Sequence, residues 1–239
     1  MSRKPSQPAR PPVWRCEQLR FGWPGLPDLL RIPGLALHAG ERVLLEGPSG
    51  CGKSTLLNLA AGVLLADRGD IRILEQNWRS LSAGARDRLR ADHIGMVFQQ
   101  FNLLPYLDVR SNVLLGCRFS ARRRRGRDAA ALAAEADRLL AAFHLPPSEF
   151  ARRPVRVLSV GQQQRVAAAR ALIGGPELVL ADEPTSALDP ATRDQWLAHF
   201  LTEAQTAGSA VLLVSHDPAL RAHVDRVVAL ASLAESTSC

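Results

Sequence analysis

The sequence GPSGCGKST lies in the first quarter of the 239-residue chain and consists of Gly47, Pro48, Ser49, Gly50, Cys51, Gly52, Lys53, Ser54 and Thr55. Its glycines allow the backbone to bend so that successive N–H groups converge on one anion. The lysine adds a compact positive charge, and the serine hydroxyl is a ligand suited to Mg²⁺. This order of residues is the pattern of a loop that binds nucleotide phosphates. We therefore predict that the whole stretch binds a nucleotide.

The segments around this loop predict an α/β fold. Arg42 to Glu46 is a short apolar strand, and Lys53 to Leu65 is predicted as a helix with an apolar face. Further strands are predicted at 13–19, 71–74, 94–98, 178–181 and 210–214, and helices at 109–115, 129–143, 161–173 and 190–206. Strands that alternate with helices indicate a mainly parallel sheet covered on both faces.

Two carboxylates follow an apolar strand in the second half of the chain. The run at 178–181 ends directly before Asp182 and Glu183. Ligands of open α/β sheets bind beyond the carboxyl ends of the strands. We predict that Asp182 binds Mg²⁺ together with Ser54, and that Glu183 orients or deprotonates an attacking water.

Further segments resemble motifs of the ABC (ATP-binding cassette) family, and they occur in the family's order. They are Val97-Phe98-Gln99, Leu158-Ser159-Val160-Gly161-Gln162, Ser186-Ala187-Leu188-Asp189 and Val214-Ser215-His216. Val160 replaces the usual glycine of the second motif, the family signature. The resemblance extends from Trp14 to Val228. The stretch at 101–107, FNLLPYL, is most similar to single-cassette subunits of the lipoprotein-release and macrolide-export type.

The resemblance implies a P-loop NTPase (RecA-like) core with a mainly parallel sheet, an inserted helical subdomain and an antiparallel β region near the N-terminus. The predicted boundaries are a flexible tail at 1–12, the first part of the core at 13–99, the helical signature subdomain at 100–175, the second part of the core at 176–232, and a tail at 233–239. One cassette is expected, because the chain has no internal repeat.

The resemblance also implies roles for individual residues. They are catalysis by Lys53, Gln99, Glu183 and His216, Mg²⁺ binding by Ser54, Gln99 and Asp182, and nucleotide binding by Trp23, Ser159, Gly161, Gln162 and Asp189 in addition to the loop at 47–55. Trp23 would stack on the adenine, while the nearby Phe21 points into the core. Ser159 would face the nucleotide of a partner subunit, because the family geometry does not bring it to the chain's own phosphate loop.

The implied reaction is hydrolysis of ATP to ADP and phosphate by a homodimer, or by a pair of ABC subunits, that drives a separate integral membrane permease. The chain would then be cytoplasmic and peripheral on the inner face of the cell membrane, with no nucleic-acid partner. A second hypothesis is a non-transport ABC ATPase coupled to cell-envelope or cell-division machinery. The stretch at 101–107 is also similar to that of polar amino-acid importers, so the direction of transport stays open at this stage.

The basic composition is weak support for a nucleic-acid or membrane partner. The formal net charge is +7, but almost all basic residues are arginine, and the only lysines are Lys4 and Lys53. The run at 122–127 is interpreted as a solvated loop between helices, with contact to lipid headgroups as the alternative. The four cysteines, Cys16, Cys51, Cys117 and Cys239, form no CxxC pair, so structural zinc is not expected.

Overall fold

The structure, a computed structural model, describes residues 11–186 and 188–230, without the side chains at positions 190 and 191. All but the last two residues of the predicted tail at 1–12 lie outside the described residues. Residues 231 and 232, the tail at 233–239 and position 187 of the SALD motif lie outside them as well.

The order of elements is that of an α/β domain with a block of helices in its middle. The strands are β1 (Trp14–Trp23), β2 (Leu26–Leu37), β3 (Arg42–Glu46), β4 (Arg68–Ile73), β5 (Gln76–Asn77), β6 (Ile94–Val97), β7 (Leu178–Asp182), β8 (Ala210–Val214) and β9 (Arg226–Ala229). The helices are α1 (Lys53–Ala60), α2 (Ala83–His93), α3 (Val109–Arg118), α4 (Ala121–Arg124), α5 (Ala129–Ala142), α6 (Pro147–Phe150), α7 (Val160–Leu172) and α8 (Pro190–Thr206). Short 3₁₀ helices occur at Trp78–Ser80, Val155–Val157 and Pro218–His223.

The parallel sheet has the strand order β6-β7-β8-β3-β9. Every residue of the central strand β8 is buried, as expected for a strand covered on both faces. Side chains of β3 alternate between the two faces. Leu44 packs in the core that includes the helices α3, α5 and α7, whereas Val43 and Leu45 pack in the core shared with the antiparallel sheet. The predicted parallel core is therefore confirmed.

The antiparallel region predicted near the N-terminus is a second sheet, in which the order is β2-β1-β4-β5. Strand β2 was missed by the sequence analysis. A tight turn at Pro24-Gly25 joins it to β1, and Trp23 pairs with Leu26 across this turn. Gly25 has a φ of +83°, a left-handed conformation that favours glycine. This Pro-Gly pair was the available signal for a hairpin.

Helix α1 is shorter than predicted, because it ends at Ala60 rather than at Leu65. Gly62 follows with a φ of +66°, which breaks the helical conformation. A Cβ atom at this position would lie 2.7 Å from Cδ2 of Trp78, so only glycine fits. Helix α2 was not predicted, because its sole buried residue is Leu89 and the sequence has no apolar face.

Candidate functional site

The glycine-rich stretch forms the loop between β3 and α1. Gly50 and Gly52 have φ values of +81° and +99°, which reverse the chain ahead of the helix. A Cβ atom on Gly52 would lie 2.7 Å from Cδ2 of Leu30 in the hairpin above. Gly52 is also the N-cap of α1 and offers no side chain to cap it. The first N–H groups of α1 therefore have no side-chain acceptor, and with the helix dipole they form a site suited to phosphate.

Lys53 is folded over this loop. Its Nζ donates hydrogen bonds to the carbonyl oxygens of Gly47 at 2.7 Å and Pro48 at 3.0 Å, and the residue is buried. The ammonium group is thus held against the first residues of the phosphate loop. A charge fixed in this way needs little rearrangement to meet an anion.

Asp182 ends β7 next to the first turn of α1. Burial raises the pKa of its carboxyl group, an effect that a hydrogen bond from Ser54 partly offsets. The neighbouring Glu183 also raises this pKa, and Lys53 lowers it. The ionised form of Asp182 is thus unfavourable in free energy at this buried position, and a bound divalent cation would stabilise it.

Glu183 follows β7 in a left-handed conformation with a φ of +45°. Its N–H donates to the carbonyl oxygen of Val214 at 2.9 Å, which joins it to the end of β8. One carboxylate oxygen lies 2.8 Å from Nδ1 of His216, and the other accepts a hydrogen bond from Oγ of Ser215 at 3.1 Å. The two contacts fix the orientation of the carboxylate. The sequence analysis assigned no role to Ser215.

An open cleft of about 490 Å³ brings many of the predicted residues together. The predicted residues that line it are Trp23, Ser49, Gly50, Gly52, Lys53, Ser54, Thr55, Gln99, Asp182, Glu183 and His216. Leu26, Leu29 and Ser186 line it as well, and sequence reasoning gave these three no role in the site. The two leucines lie on the unpredicted strand β2. The cleft thus has an aromatic end, a phosphate loop and a group of carboxylates.

Trp23 and Phe21 have different environments, although residues two positions apart in a regular strand face the same side of the sheet. Phe21 is 7% exposed and packs in the core, whereas Trp23 is 44% exposed and lines the cleft. The register of β1 against β2 shifts between them, and such irregularities redirect side chains. Their rings meet edge to face, with the centroids 5.1 Å apart. Part of the Trp23 side chain is thus exposed to the cleft, where a planar ligand could stack on it.

Several predicted residues do not line the cleft. Ser159, Gly161 and Gln162 are at the start of α7, and Asp189 caps α8 by accepting from the N–H of Thr192. Ser159 is exposed and closes a capping box, because its Oγ accepts from the N–H of Gln162 while Oε1 of Gln162 accepts from the N–H of Ser159. Gly47, Pro48 and Cys51 belong to the phosphate loop but are not part of the cleft wall.

The thiol of Cys51 lies close to Gly47. A Cβ atom added to this glycine would lie only 2.6 Å from Sγ of Cys51. We expect a bulky alkyl adduct on Cys51 to distort the loop and inhibit nucleotide binding, and bound ATP to protect the thiol. At ATP of about ten times its Kd, labelling should slow about tenfold, because only the free fraction reacts. Labelling by iodoacetamide followed by peptide mass spectrometry measures this.

The control for this experiment comes from the other cysteines. Cys16 and Cys117 are buried, and burial raises the pKa of both thiols, to about 12 for Cys16. Cys239 lies outside the described residues, so a Cys239→Ser background isolates the signal from Cys51. Equal labelling rates with and without ATP would contradict the prediction.

A phosphate loop between a parallel strand and a helix, with carboxylates at the end of another strand of the same sheet, defines a P-loop nucleoside triphosphatase. The family model described as ABC transporter matches residues 30–186. The chain therefore belongs to the ABC transporter family, and the predicted class, an ABC ATPase, is confirmed.

Individual relatives agree with this assignment. The chain is 44% identical to the lipoprotein-releasing system ATP-binding protein LolD of Novosphingobium aromaticivorans, over 92% of this chain and 96% of that protein. It is 41% identical over 83% of its length to the probable export ATP-binding/permease protein MacB of Pseudomonas entomophila, but it spans only 29% of that longer protein. A dimeric structure of the ABC transporter cassette MJ0796 superposes with a TM-score of 0.81, at 32% identity, over 90% of this chain and 93% of that chain.

Proposed function

We propose that the chain hydrolyses ATP as one half of a dimer and thereby drives a separate membrane permease of the export or release type. The observation that carries the proposal is an incomplete site. The phosphate loop, Asp182 and Glu183 line the cleft, whereas Ser159 and Gly161 lie outside it at the exposed start of α7. A second copy would supply the missing wall. The neighbour MJ0796 is described as dimeric, and a second structure of it as a post-hydrolysis state bound to ADP and Pi.

The chain offers a donor set that fits Mg²⁺. Oγ of Ser54 and the carboxylate of Asp182 are already hydrogen bonded to each other, and Gln99 lines the same cleft. These are hard oxygen donors, which Mg²⁺ prefers. When bound, Mg²⁺ would neutralise charge on the nucleotide phosphates. Ser54, Gln99 and Asp182 are therefore the proposed metal-binding residues.

Glu183 is the proposed base. A water aligned by its carboxylate attacks the γ-phosphorus, the bond from that phosphorus to the β-phosphate oxygen breaks, and the carboxylate accepts the water proton. His216, through its contact with Glu183, holds the carboxylate and is exposed on the cleft side for a hydrogen bond to the γ-phosphate. The N–H groups of the loop and Lys53 stabilise the charge that develops on the phosphates.

A second groove, of about 550 Å³, supports a protein partner. It lies between α2, β6, α3 and α7, and its apolar lining includes Met96, Phe98, Leu115 and Phe119. Phe119 is 74% exposed, which is unusual for a phenylalanine with no role in binding. Among residues 11–186 and 188–230, no helix has the length and hydropathy to cross a membrane. The exposed apolar lining is the reason that we assign this groove to the permease.

Affinity purification from detergent-solubilised membranes tests the assignment. We expect the chain to recover a polytopic permease, and Phe119→Asp to recover much less of it, because a buried unpaired charge would oppose docking. Val227→Asp is the matched control, since Val227 is also an exposed apolar residue but does not line the groove. Recovery of division proteins in place of a permease would reject transport in favour of the second hypothesis, and recovery of ribosomes or nucleic acid would reject both.

The interpretation of the arginine run as a solvated loop is wrong at Arg123, which is 3% exposed. This residue lies in α4 and donates to the carbonyl oxygens of Ile94 at 2.5 Å and Ile173 at 3.4 Å. Burial lowers the pKa of its guanidinium to about 10. Arg122 pairs with Glu177 and Arg127 with Glu135 at 2.5 Å. Much of the run therefore bonds within the protein.

The lipid alternative then depends mainly on Arg124 and Arg125, which are exposed. We expect neither wild type nor an Arg124→Ser, Arg125→Ser variant to float in a way that depends on anionic lipid, because the about 2 kcal/mol that two exposed arginines can contribute at such a surface is too little to hold a protein there. Flotation with and without anionic lipid measures this. Anionic-lipid-dependent flotation of wild type that the double variant lacks would support the lipid alternative instead.

A further inference from the structure

Arg170 lies in the last turn of α7 and holds the segment that follows Gln99. Its Nη1 donates to the carbonyl oxygen of Asn102 at 2.6 Å, and its Nη2 donates to that of Phe101 at 2.5 Å. Phe101 and Asn102 have φ values of +58° and +49°, a left-handed conformation that is costly for side-chain-bearing residues. Burial lowers the pKa of Arg170 to about 10, so the group is still charged at neutral pH. One guanidinium fork thus holds two strained residues in place.

Gln164, in the middle of the same helix, holds the segment that follows Glu183. Its side chain is fully buried, and Nε2 donates to the carbonyl oxygen of Pro184. Its Oε1 has no hydrogen-bond partner among the described residues. A half-satisfied buried amide is less favourable for stability than an apolar side chain of similar size. The contact with Pro184 is therefore a candidate for function rather than stability.

Helix α7 is tightly packed along its middle and against β6. Val166, Ala167, Ala168 and Ala169 are completely buried. Gly95 of β6, the strand that leads to Gln99, has no room for a side chain against the carbonyl oxygen of Ala171. A displacement at one end of such a helix is carried to its other contacts, because packed cores deform little.

We infer that α7 couples the two ATP sites of the dimer, with Arg170 and Gln164 as the positioning residues for Gln99 and Glu183. The start of α7 carries Ser159, which in the proposed dimer faces the partner's nucleotide. The rest of the helix holds the two segments that carry Gln99 and Glu183 of the chain's own site. Occupancy of one site thereby sets the geometry of the other. This inference rests on the proposed dimer function.

A double-mutant cycle between Arg170→Lys and Gln99→Ala tests the coupling, with kcat for ATP hydrolysis and its Hill coefficient as readouts. Lysine keeps the charge but lacks the fork that reaches both carbonyl oxygens. We expect Arg170→Lys to lower kcat about tenfold, because small misplacements of a reacting group have effects of this size or larger. The same substitution should have little further effect when Gln99 is already alanine. We expect the Hill coefficient to be above 1 in wild type and to fall to about 1 in Arg170→Lys.

Arg165→Lys is the matched control, since this arginine is on the same helix and makes no hydrogen bond to either segment among the described contacts. It should retain the wild-type kcat and Hill coefficient. If Arg170→Lys lowered kcat by the same factor in the Gln99→Ala background as in wild type, the inference would be overturned. A wild-type Hill coefficient of 1 would overturn it as well. A wild-type chain without ATPase activity would instead reject the proposed function itself.

Gln164→Met provides a second variant in case Arg170→Lys does not fold. Methionine is similar in length and removes the unpartnered oxygen, so we expect the melting temperature to stay within a few degrees of wild type. The Hill coefficient should still fall to about 1, a change that a purely structural role would not produce. A stable Gln164→Met protein with the wild-type Hill coefficient and kcat would refute the coupling role of α7.

Discussion

Glu183→Gln is expected to bind ATP with nearly wild-type affinity and to lose hydrolysis by a factor of about 10² to 10⁴, the usual contribution of a positioned general base. The amide keeps the size of the side chain and can still accept a hydrogen bond from Ser215, but it cannot take the proton of the attacking water. Equilibrium binding of labelled ATP and phosphate release, measured on the same preparation, separate the two effects. Phosphate release at the wild-type rate would remove Glu183 from the proposed mechanism.

Lys53→Ala is the companion variant, because it should lose binding as well as turnover. The substitution removes the charge at the phosphate loop together with the hydrogen bonds from Nζ to the carbonyl oxygens of Gly47 and Pro48. Charge-assisted contacts of this kind are stronger than neutral hydrogen bonds. A Lys53→Ala protein that bound ATP as tightly as Glu183→Gln would show that the loop holds the phosphates without this side chain.

Mixed dimers of a Lys53→Ala protomer and a Ser159→Arg protomer are expected to retain one intact ATP site, although each variant is expected to be inactive as a homodimer. If each site combines the phosphate loop of one protomer with the signature of the other, both defects fall on the same site. The remaining site then has a normal loop and a normal signature. If each site is built within one protomer, both sites of the mixed dimer carry a defect.

Nucleotide trapping distinguishes these arrangements. Protomers with different affinity tags allow the mixed dimer to be purified, and the expected result is about one trapped nucleotide per dimer, against none for either homodimer. The geometry motivates this expectation, since Ser159 is exposed and outside the cleft that contains Lys53. No trapped nucleotide in a correctly assembled mixed dimer would defeat the shared-site arrangement.

The capping box at the start of α7 bears on this interface. In the free protomer the N–H of Gln162 is bonded to Oγ of Ser159, and the N–H of Ser159 is bonded to Oε1 of Gln162. Ser159 and Gln162, which are both proposed to meet the partner's nucleotide, therefore already have hydrogen-bond partners within the helix end. These bonds keep the exposed helix end stable in a monomer. We expect bound ATP to compete for the groups that form these two hydrogen bonds. Val160 keeps its backbone N–H, so we expect this residue to be compatible with nucleotide binding.

The phosphate loop and the acidic pair were predictable because their geometry depends on near neighbours in the chain. A glycine-rich stretch between an apolar strand and a helix has few other conformations available. An apolar strand of a parallel sheet likewise brings whatever follows it to the same edge. The structure accordingly places Lys53, Ser54, Asp182, Glu183 and the similarly situated His216 around one cleft. Their roles in hydrolysis remain predictions for the variants above.

Other features depend on residues far apart in the chain, and local patterns carry no information about them. Arg123 belongs to a run of arginines that resembles a solvated loop, yet it is buried because the carbonyl oxygens of Ile94 and Ile173 lie within its reach. Helix α1 ends early because Trp78 packs against Gly62. Composition and periodicity do not distinguish these arginines or glycines from their exposed counterparts.

Sequence by itself therefore determined the class of the protein, because short motifs specify the backbone conformation and charge that a phosphate requires. Tertiary structure alone decided that Gln164 and Arg170 connect the helix that follows Ser159 to the segments after Glu183 and Gln99. The physical reason is the range of the interactions. Backbone preference acts over a few residues, whereas burial and hydrogen bonding of a side chain are set by whichever groups the packed fold brings beside it.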